Sequence, residues 1–320
     1  MIKYLTLLYI KYTGGFFMLL EDVLKEFIFD CRIRKLSERT IKEYNGNNLR
    51  FFKYIDSQFQ ITELEQVTHV VIKEYIQYLT TLGRKETYIN GIIKCFRAFF
   101  VYCFKEEYIS KNPMDKVNFQ REPITLIETF TDNEARKMVE AFKTNTFCDM
   151  RNKLIMVVLL DSGIRCHELI DIKISDITTN AIKLFGKGKK ERFVPITPTI
   201  YKYLLKYLRM RENYLLDKYQ LDKEYLFLSF SCRKLSLEAV ERVVKLAAQK
   251  AKVRPEIRSS PHTCRHYYAQ AQLRNGCDVY TLSRLLGHEN ISITKRYLQS
   301  ITDNQILDLA IKTTPLSNMK

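Results

Sequence analysis

Strand-like patterning occurs at one place in this chain. Ala181 to Phe185 and Arg192 to Ile196 are short β-prone runs, joined by the basic turn Gly186-Lys187-Gly188-Lys189-Lys190, the signature of a hairpin. Nearly everywhere else the apolar residues recur at helical spacing. No segment repeats internally, and the strands do not alternate with helices, which argues against a doubly wound sheet. The expected fold is therefore mainly α with a small antiparallel β-sheet.

The helical pattern begins at Leu20, Val23, Leu24, Phe27, Ile28 and Cys31, which share one face. A second helix is expected from Ser37 or Thr40, a third capped by Thr68, and a fourth after Arg84-Lys85. Four amphipathic helices with short polar connections predict an N-terminal four-helix bundle over residues 18–110. Residues 1–17 are apolar, but Lys3, Lys11 and Gly14-Gly15 interrupt them and no small-residue cleavage site follows. They read as an extension, not as a signal or membrane segment, with Met18 an alternative start. The stretch 111–128, carrying Asn112-Pro113 and Glu122-Pro123, lacks periodicity and is expected to link two domains. At Thr131-Asp132-Asn133-Glu134 a capping box opens a second domain, spanning 129–320.

Lys and Arg number 52 against 36 Asp and Glu, a net charge of +16. Such an excess draws polyanions, with nucleic acid the first candidate. The eight cysteines are scattered without a CxxC pair, several inside apolar runs, as reduced thiols of a cytoplasmic protein would be. In the fourth helix Asn90, Lys94 and Arg97 stand at i, i+4 and i+7. They offer a DNA-binding face for phosphates or, equally in keeping with the pattern, an ordinary solvated face.

The segment from Ser260 to Gln299 is punctuated so that three short helices follow one another. Ser260-Pro261 starts the first and Gly276 ends it; Asp278 caps the second and Gly287 ends it; Ser292 is placed to cap the third. His262 and Arg265 share one side of the first, His288 sits at the break after the second, and Tyr297 rides on the third. Consecutive short helices bring such residues to one pocket with little difficulty.

The run His-x-x-Arg-His at 262–266, Leu-Leu-Gly-His at 285–288 and a tyrosine nine residues later resembles the C-terminal signature of tyrosine recombinases, the phage-integrase and Xer family. Gly163-Ile164-Arg165-Cys166-His167-Glu168-Leu169 is similar to the family's box for its first arginine, and the Gly186-Lys187-Gly188 turn to the hairpin bearing its lysine. The likeness runs from about Leu20 onward, as in the simpler two-domain members. Cys166, His167 and Cys264 depart from the usual residues, at positions of packing and not of chemistry. The resemblance implies a core-binding N-terminal domain and a catalytic C-terminal one. It further implies site-specific DNA breakage and rejoining in the cytoplasm at the nucleoid, for mobile-element integration and excision or Xer-like resolution. The catalytic residues would be Arg165, Lys187, His262, Arg265, His288 and Tyr297, with Tyr297 the nucleophile. The implied partners are double-stranded DNA with paired sites, three further copies in a homo-tetramer held by the tail (Ile301, Ile306, Leu307, Leu309, Ile311), and an accessory DNA-bending protein.

These residue types suit phosphodiester cleavage without a metal. Guanidiniums offer forked donors to the non-bridging oxygens and keep their charge. Lysine on a glycine-flanked turn suits protonation of the 5′ oxygen, and a histidine suits proton movement at the tyrosine. Energy held in a 3′-phosphotyrosyl link makes ATP unnecessary, and no Mg²⁺ is expected. Four alternatives stand beside this reading, one of them an RNA-binding protein, for which no aromatic-rich RNA motif is visible. His262, Cys264 and His266 could bind zinc, although the spacing fits no metal signature. The fold could serve a non-catalytic DNA-binding regulator, or a relaxing topoisomerase sharing the covalent step.

Overall fold

The computed structural model describes residues 18–123, 126–186, 191–216, 218, 222–300, 307 and 311. Its chain divides into two compact units, Met1–Ile124 and Thr125–Lys320.

The first unit is built from helices α1 (Leu20–Ile33), α2 (Glu38–Phe59), α3 (His69–Thr81) and α4 (Glu86–Lys105). Ser37 and Thr68 accept from the backbone N–H three residues on, satisfying donors left open at the starts of α2 and α3. The face of α1 bearing Leu20, Val23, Leu24, Phe27, Ile28 and Cys31 is buried throughout. It meets an aromatic core: Phe27 of α1 lies edge-on to Phe99 at 5.7 Å between ring centres, and deeper in the same core Phe51 of α2 meets Phe96 of α4 at 4.7 Å. Interlocked rings of this kind stabilise beyond the apolar area that they remove from water.

Part of the segment expected as a linker packs into this unit. Asn112 caps a single 3₁₀ turn, Pro113–Lys116, and Met114 and Val117 enter the helical core. Buried Asn90 holds the chain beyond it, donating to the Gln120 carbonyl and Glu122 Oε1 and accepting from the Gln120 N–H. Arg97 donates to the Val117 carbonyl and lies over the Phe119 ring. The expected DNA-facing set Asn90, Lys94 and Arg97 is thus divided between different environments. Asn90 and Arg97 spend their polar groups on residues 117–122, and of the three Lys94 alone is exposed. A buried amide next to an irregular stretch of chain serves that stretch's otherwise unpaired backbone groups.

The second unit opens with α5 (Asp132–Glu140), whose capping box through Thr131 and Glu134 is formed. Next come α6 (Phe147–Ser162) and α7 (Cys166–Asp171), then strands β1 (Ala181–Phe185) and β2 (Glu191–Pro195). The strands pair antiparallel with Ala181 opposite Pro195 and Phe185 opposite Glu191, so β2 runs one residue earlier than its pattern suggests. Helices α8 (Pro198–Leu215), α9 (Leu237–Ala251), α10 (Pro261–Arg274), α11 (Val279–Leu286) and α12 (Ser292–Lys295) follow, and a 3₁₀ turn carries Arg296–Ser300. From Leu154 to Leu160 helix α6 is apolar on all sides because that stretch is the axis of the core, with Leu154, Ile155, Met156 and Leu159 fully enclosed. It stops at Gly163, whose φ of +60° favours glycine and whose Cβ, were there one, would lie 2.3 Å from Tyr268 Cδ1. Ser260 and Asp278 cap α10 and α11 as expected. Ser292 does not cap α12. It is already helical, and Asn290 Oδ1 accepts its N–H instead.

No helix of the described residues is long and apolar enough to cross a membrane. The extension 1–17 and the tail positions Ile301, Ile306 and Leu309 lie outside the described residues; Leu307 and Ile311 are exposed.

Candidate active site

Each junction described above delivers part of the site. Gly163 turns the chain so that Arg165 stands at the start of α7. Pro261 sets the first turn of α10, from which His262, Arg265 and His266 project. Gly287, at φ +63°, ends α11 and turns out His288. The 3₁₀ turn that follows α12 then presents Arg296 and Tyr297. These side chains line one cavity of about 440 Å³, together with Ile127, Ile164 and Ile293. Of the six residues singled out from the sequence, Arg165, His262, Arg265, His288 and Tyr297 therefore share a single pocket. Lys187 lies outside the described residues.

The arginines are held by backbone. Arg265 is buried and donates to the carbonyls of Gly163 and Leu286, both at 2.7 Å. Arg165 donates to the Gly287 carbonyl at 2.9 Å and to Glu168 Oε1 at 2.9 Å. Arg192, from β2, donates to the Leu285 carbonyl at 2.8 Å and to Glu168 Oε2 at 2.6 Å. Three guanidiniums thus take three consecutive carbonyls, 285, 286 and 287, at the C-terminus of α11. That end of a helix has unpaired acceptors and partial negative charge, so it offsets the cost of gathering cations. The Glu168 carboxylate, buried and doubly paired, supplies a compensating anion. Burial, with Arg165 and Arg192 adding to it, pushes Arg265 down to about 10, so it remains charged at neutral pH. The Arg165 side chain is 41% exposed and free to face a ligand on its open side.

The same surroundings hold His288 and His262 in their neutral form. Burial, then Arg265 and Arg165, lowers His288 to about 4, and its Nδ1 lies 2.7 Å from Thr294 Oγ1. His262 is lowered by partial burial and by Arg265, Arg258, Arg165 and Arg296. Both are neutral at pH 7. Tyr297 is 4% exposed, and burial raises its hydroxyl above the ordinary value while Arg265, Arg296 and Arg165 oppose that rise.

The residue next to the tyrosine is one that the sequence did not mark for this chemistry. His266 Nδ1 lies 2.8 Å from Tyr297 Oη, and its ring packs edge-on to His262 with centres 4.3 Å apart. The signal was present: 262 and 266 are four apart on a helix and must share a face. Arg192 and Glu168 were likewise visible as residue types, but nothing local foretold that a strand and a helix start would meet at α11. In the zinc alternative Cys264 would join the histidine pair. It is wholly buried in the main core, and no group of three candidate metal ligands occurs among the described residues.

Comparison with known proteins gives this arrangement its context. Residues 128–303 match the phage integrase family, and residues 19–120 match the phage integrase SAM-like domain. The chain belongs to the phage integrase family of tyrosine recombinases. This recombinase is 31% identical over 284 residues to "Tyrosine recombinase XerC" of Thermodesulfovibrio yellowstonii, covering 88% of this chain and 92% of that one. Its fold is similar to that of XerH site-specific recombinase, solved in a post-cleavage complex with palindromic difH substrate, at a TM-score of 0.72 and 21% identity over 92% of this chain and 83% of that one. A lambda integrase tetramer bound to a Holliday junction gives a TM-score of 0.70 at 17% identity, over 91% of this chain and 80% of that one. As a tyrosine recombinase the protein is a site-specific DNA-recombining enzyme.

Proposed function

We propose that Tyr297 is the nucleophile and that the pocket around it receives the scissile phosphate. The observation that carries this reading is the shared cavity: the Tyr297 side chain opens onto the same space as Arg165, Arg265, His262 and His288. A phosphodiester entering it meets the open side of Arg165, while Arg265 contributes fixed charge from behind. Neutral His288 and His262 can donate hydrogen bonds without adding further repulsion to an already cationic site. Attack by Tyr297 Oη on phosphorus breaks the bond to the 5′ oxygen and leaves a 3′-phosphotyrosyl link. Lys187, which lies between β1 and β2 in the sequence, is assigned the proton that the 5′ oxygen needs. Reversal of the same steps rejoins the strand, with no nucleotide consumed.

The first unit, through Lys94 and its neighbours, is assigned to gripping the duplex beside the cleaved bond. With XerH and lambda integrase as guides, four copies acting on paired sites through a Holliday junction is the working assembly. The residues after Tyr297 are its candidate connectors. The task is integration and excision of a mobile element or Xer-like resolution, in the cytoplasm at the nucleoid.

The test is a suicide DNA substrate offered to Tyr297→Phe. The variant should bind as the wild type does and form no covalent adduct. An adduct on the variant would falsify the assignment.

A further inference from the structure

We propose that His266 is a catalytic residue that takes the phenolic proton from Tyr297 as the oxygen attacks phosphorus. The inference rests on Tyr297 being the nucleophile. Its basis is geometric. His266 Nδ1 is 2.8 Å from Tyr297 Oη, within the range required of a base for the proton that it removes. His262, the other imidazole of α10, stands one helical turn away and packs against the His266 ring at 4.3 Å. It fixes the plane of that ring instead of reaching the hydroxyl.

The groups around the pair explain why an imidazole is needed. His266 faces His262 and Arg265 of its own helix, His288 beyond α11, and Arg296 beside the tyrosine. Arginines donate and cannot accept. In the tautomer with its hydrogen on Nε2 the imidazole presents a lone pair at Nδ1, to which the tyrosine hydroxyl can donate. Burial first, then these cations and imidazoles, holds His266 down at about 4, so it is unprotonated and ready to accept at neutral pH. Burial raises Tyr297 at the same time, so the proton stays on oxygen while the pocket is empty. A nucleophile that is charged only during attack is protected from idle reaction.

When a phosphodiester enters, its negative charge favours a cation nearby and makes His266 more basic. The phenolic O–H bond then breaks as the O–P bond forms, and the proton moves to His266 Nδ1. The electron pair of the broken P–O bond leaves on the 5′ oxygen, which takes a proton from its own donor. One proton has been gained by the imidazole and one lost by the acid, so the pocket's charge is unchanged. In the rejoining step the imidazolium returns its proton to the departing tyrosine oxygen.

The experiment is single-turnover adduct formation on a suicide DNA substrate, followed across pH 6 to 10. It compares the full-length wild type, His266→Ala, His266→Gln and Tyr297→Phe, with DNA binding and thermal melting checked for each. At pH 7, His266→Ala should be slower by about 10²–10³-fold with binding unchanged. That deficit should shrink with rising pH, as hydroxide replaces the lost base, and added imidazole should restore part of the rate. His266→Gln keeps a hydrogen-bond acceptor but cannot take a proton, so it should remain slow even if the alanine variant folds poorly. A pH-independent deficit, or full activity in His266→Gln, would reduce His266 to a positioning residue and overturn the proposal. So would a faster variant, which would make the contact a restraint. If Tyr297→Phe forms the adduct, the nucleophile assignment fails; if Tyr297→Phe is inert and His266→Ala is unimpaired, the base assignment alone fails.

Discussion

Arg192 lies behind the pocket rather than in it, yet it bears on how the pocket is charged. Its guanidinium is the second partner of the buried Glu168 carboxylate, whose first partner is Arg165. With Arg192 present, Glu168 is shared, and Arg165 keeps its outer edge for a ligand. With Arg192 removed, Glu168 has one cation left and draws it inward, and the Leu285 carbonyl loses its donor. Removing one partner of a buried ion pair costs about 3–5 kcal/mol. Arg192→Met is therefore expected to lower unfolding free energy by roughly 3 kcal/mol and to slow DNA cleavage as well. Denaturant titration and adduct formation measure the two effects. Arg192→Lys, which keeps charge but not the forked geometry, should fall between the two. Unchanged stability in Arg192→Met would show that Glu168 is adequately paired by Arg165 alone.

Among the elements, α11 is the one on which the site depends, because its last carbonyls hold Arg192, Arg265 and Arg165 in turn. Gly287 closes it in a left-handed conformation, and a Cβ there would lie 2.7 Å from Arg192 Cδ and 2.8 Å from Nε. Gly287→Ala combines backbone strain with that clash. A loss of roughly 1–3 kcal/mol is expected, together with weaker cleavage because His288 follows directly. A thermal melt equal to wild type would contradict it. The glycine itself was legible in the sequence as a helix stop, and so were the caps at Thr131, Ser260 and Asp278 and the buried stripe of α1. These are local features, set by backbone hydrogen-bond needs within a few residues. What was not legible lies between elements distant in sequence. That Asn90 is buried depends on the return of residues 117–122 across α4. That His266 and not His262 reaches Tyr297 depends on how the 3₁₀ turn after α12 lies over α10. Spacing places two histidines on one face but cannot say which of them the next helix covers.

At the scale of the whole molecule, a chain with net charge +16 concentrates several of its cations around one apolar-walled cavity and restrains them with carbonyls and a single carboxylate. Charge prepared before the substrate arrives need not be reorganised during reaction, the condition under which electrostatic stabilisation of a transition state is largest. The central claim is that these side chains supply the charge and that a single phenol holds the strand. Its most direct test is to trap the covalent complex on a nicked suicide DNA in the presence of excess EDTA, digest it, and identify the DNA-linked peptide by mass spectrometry. The account predicts an undiminished yield of adduct, with the nucleotide attached through a 3′ phosphate to Tyr297. An adduct that vanishes on chelation, or a strand attached to any other residue, would contradict it.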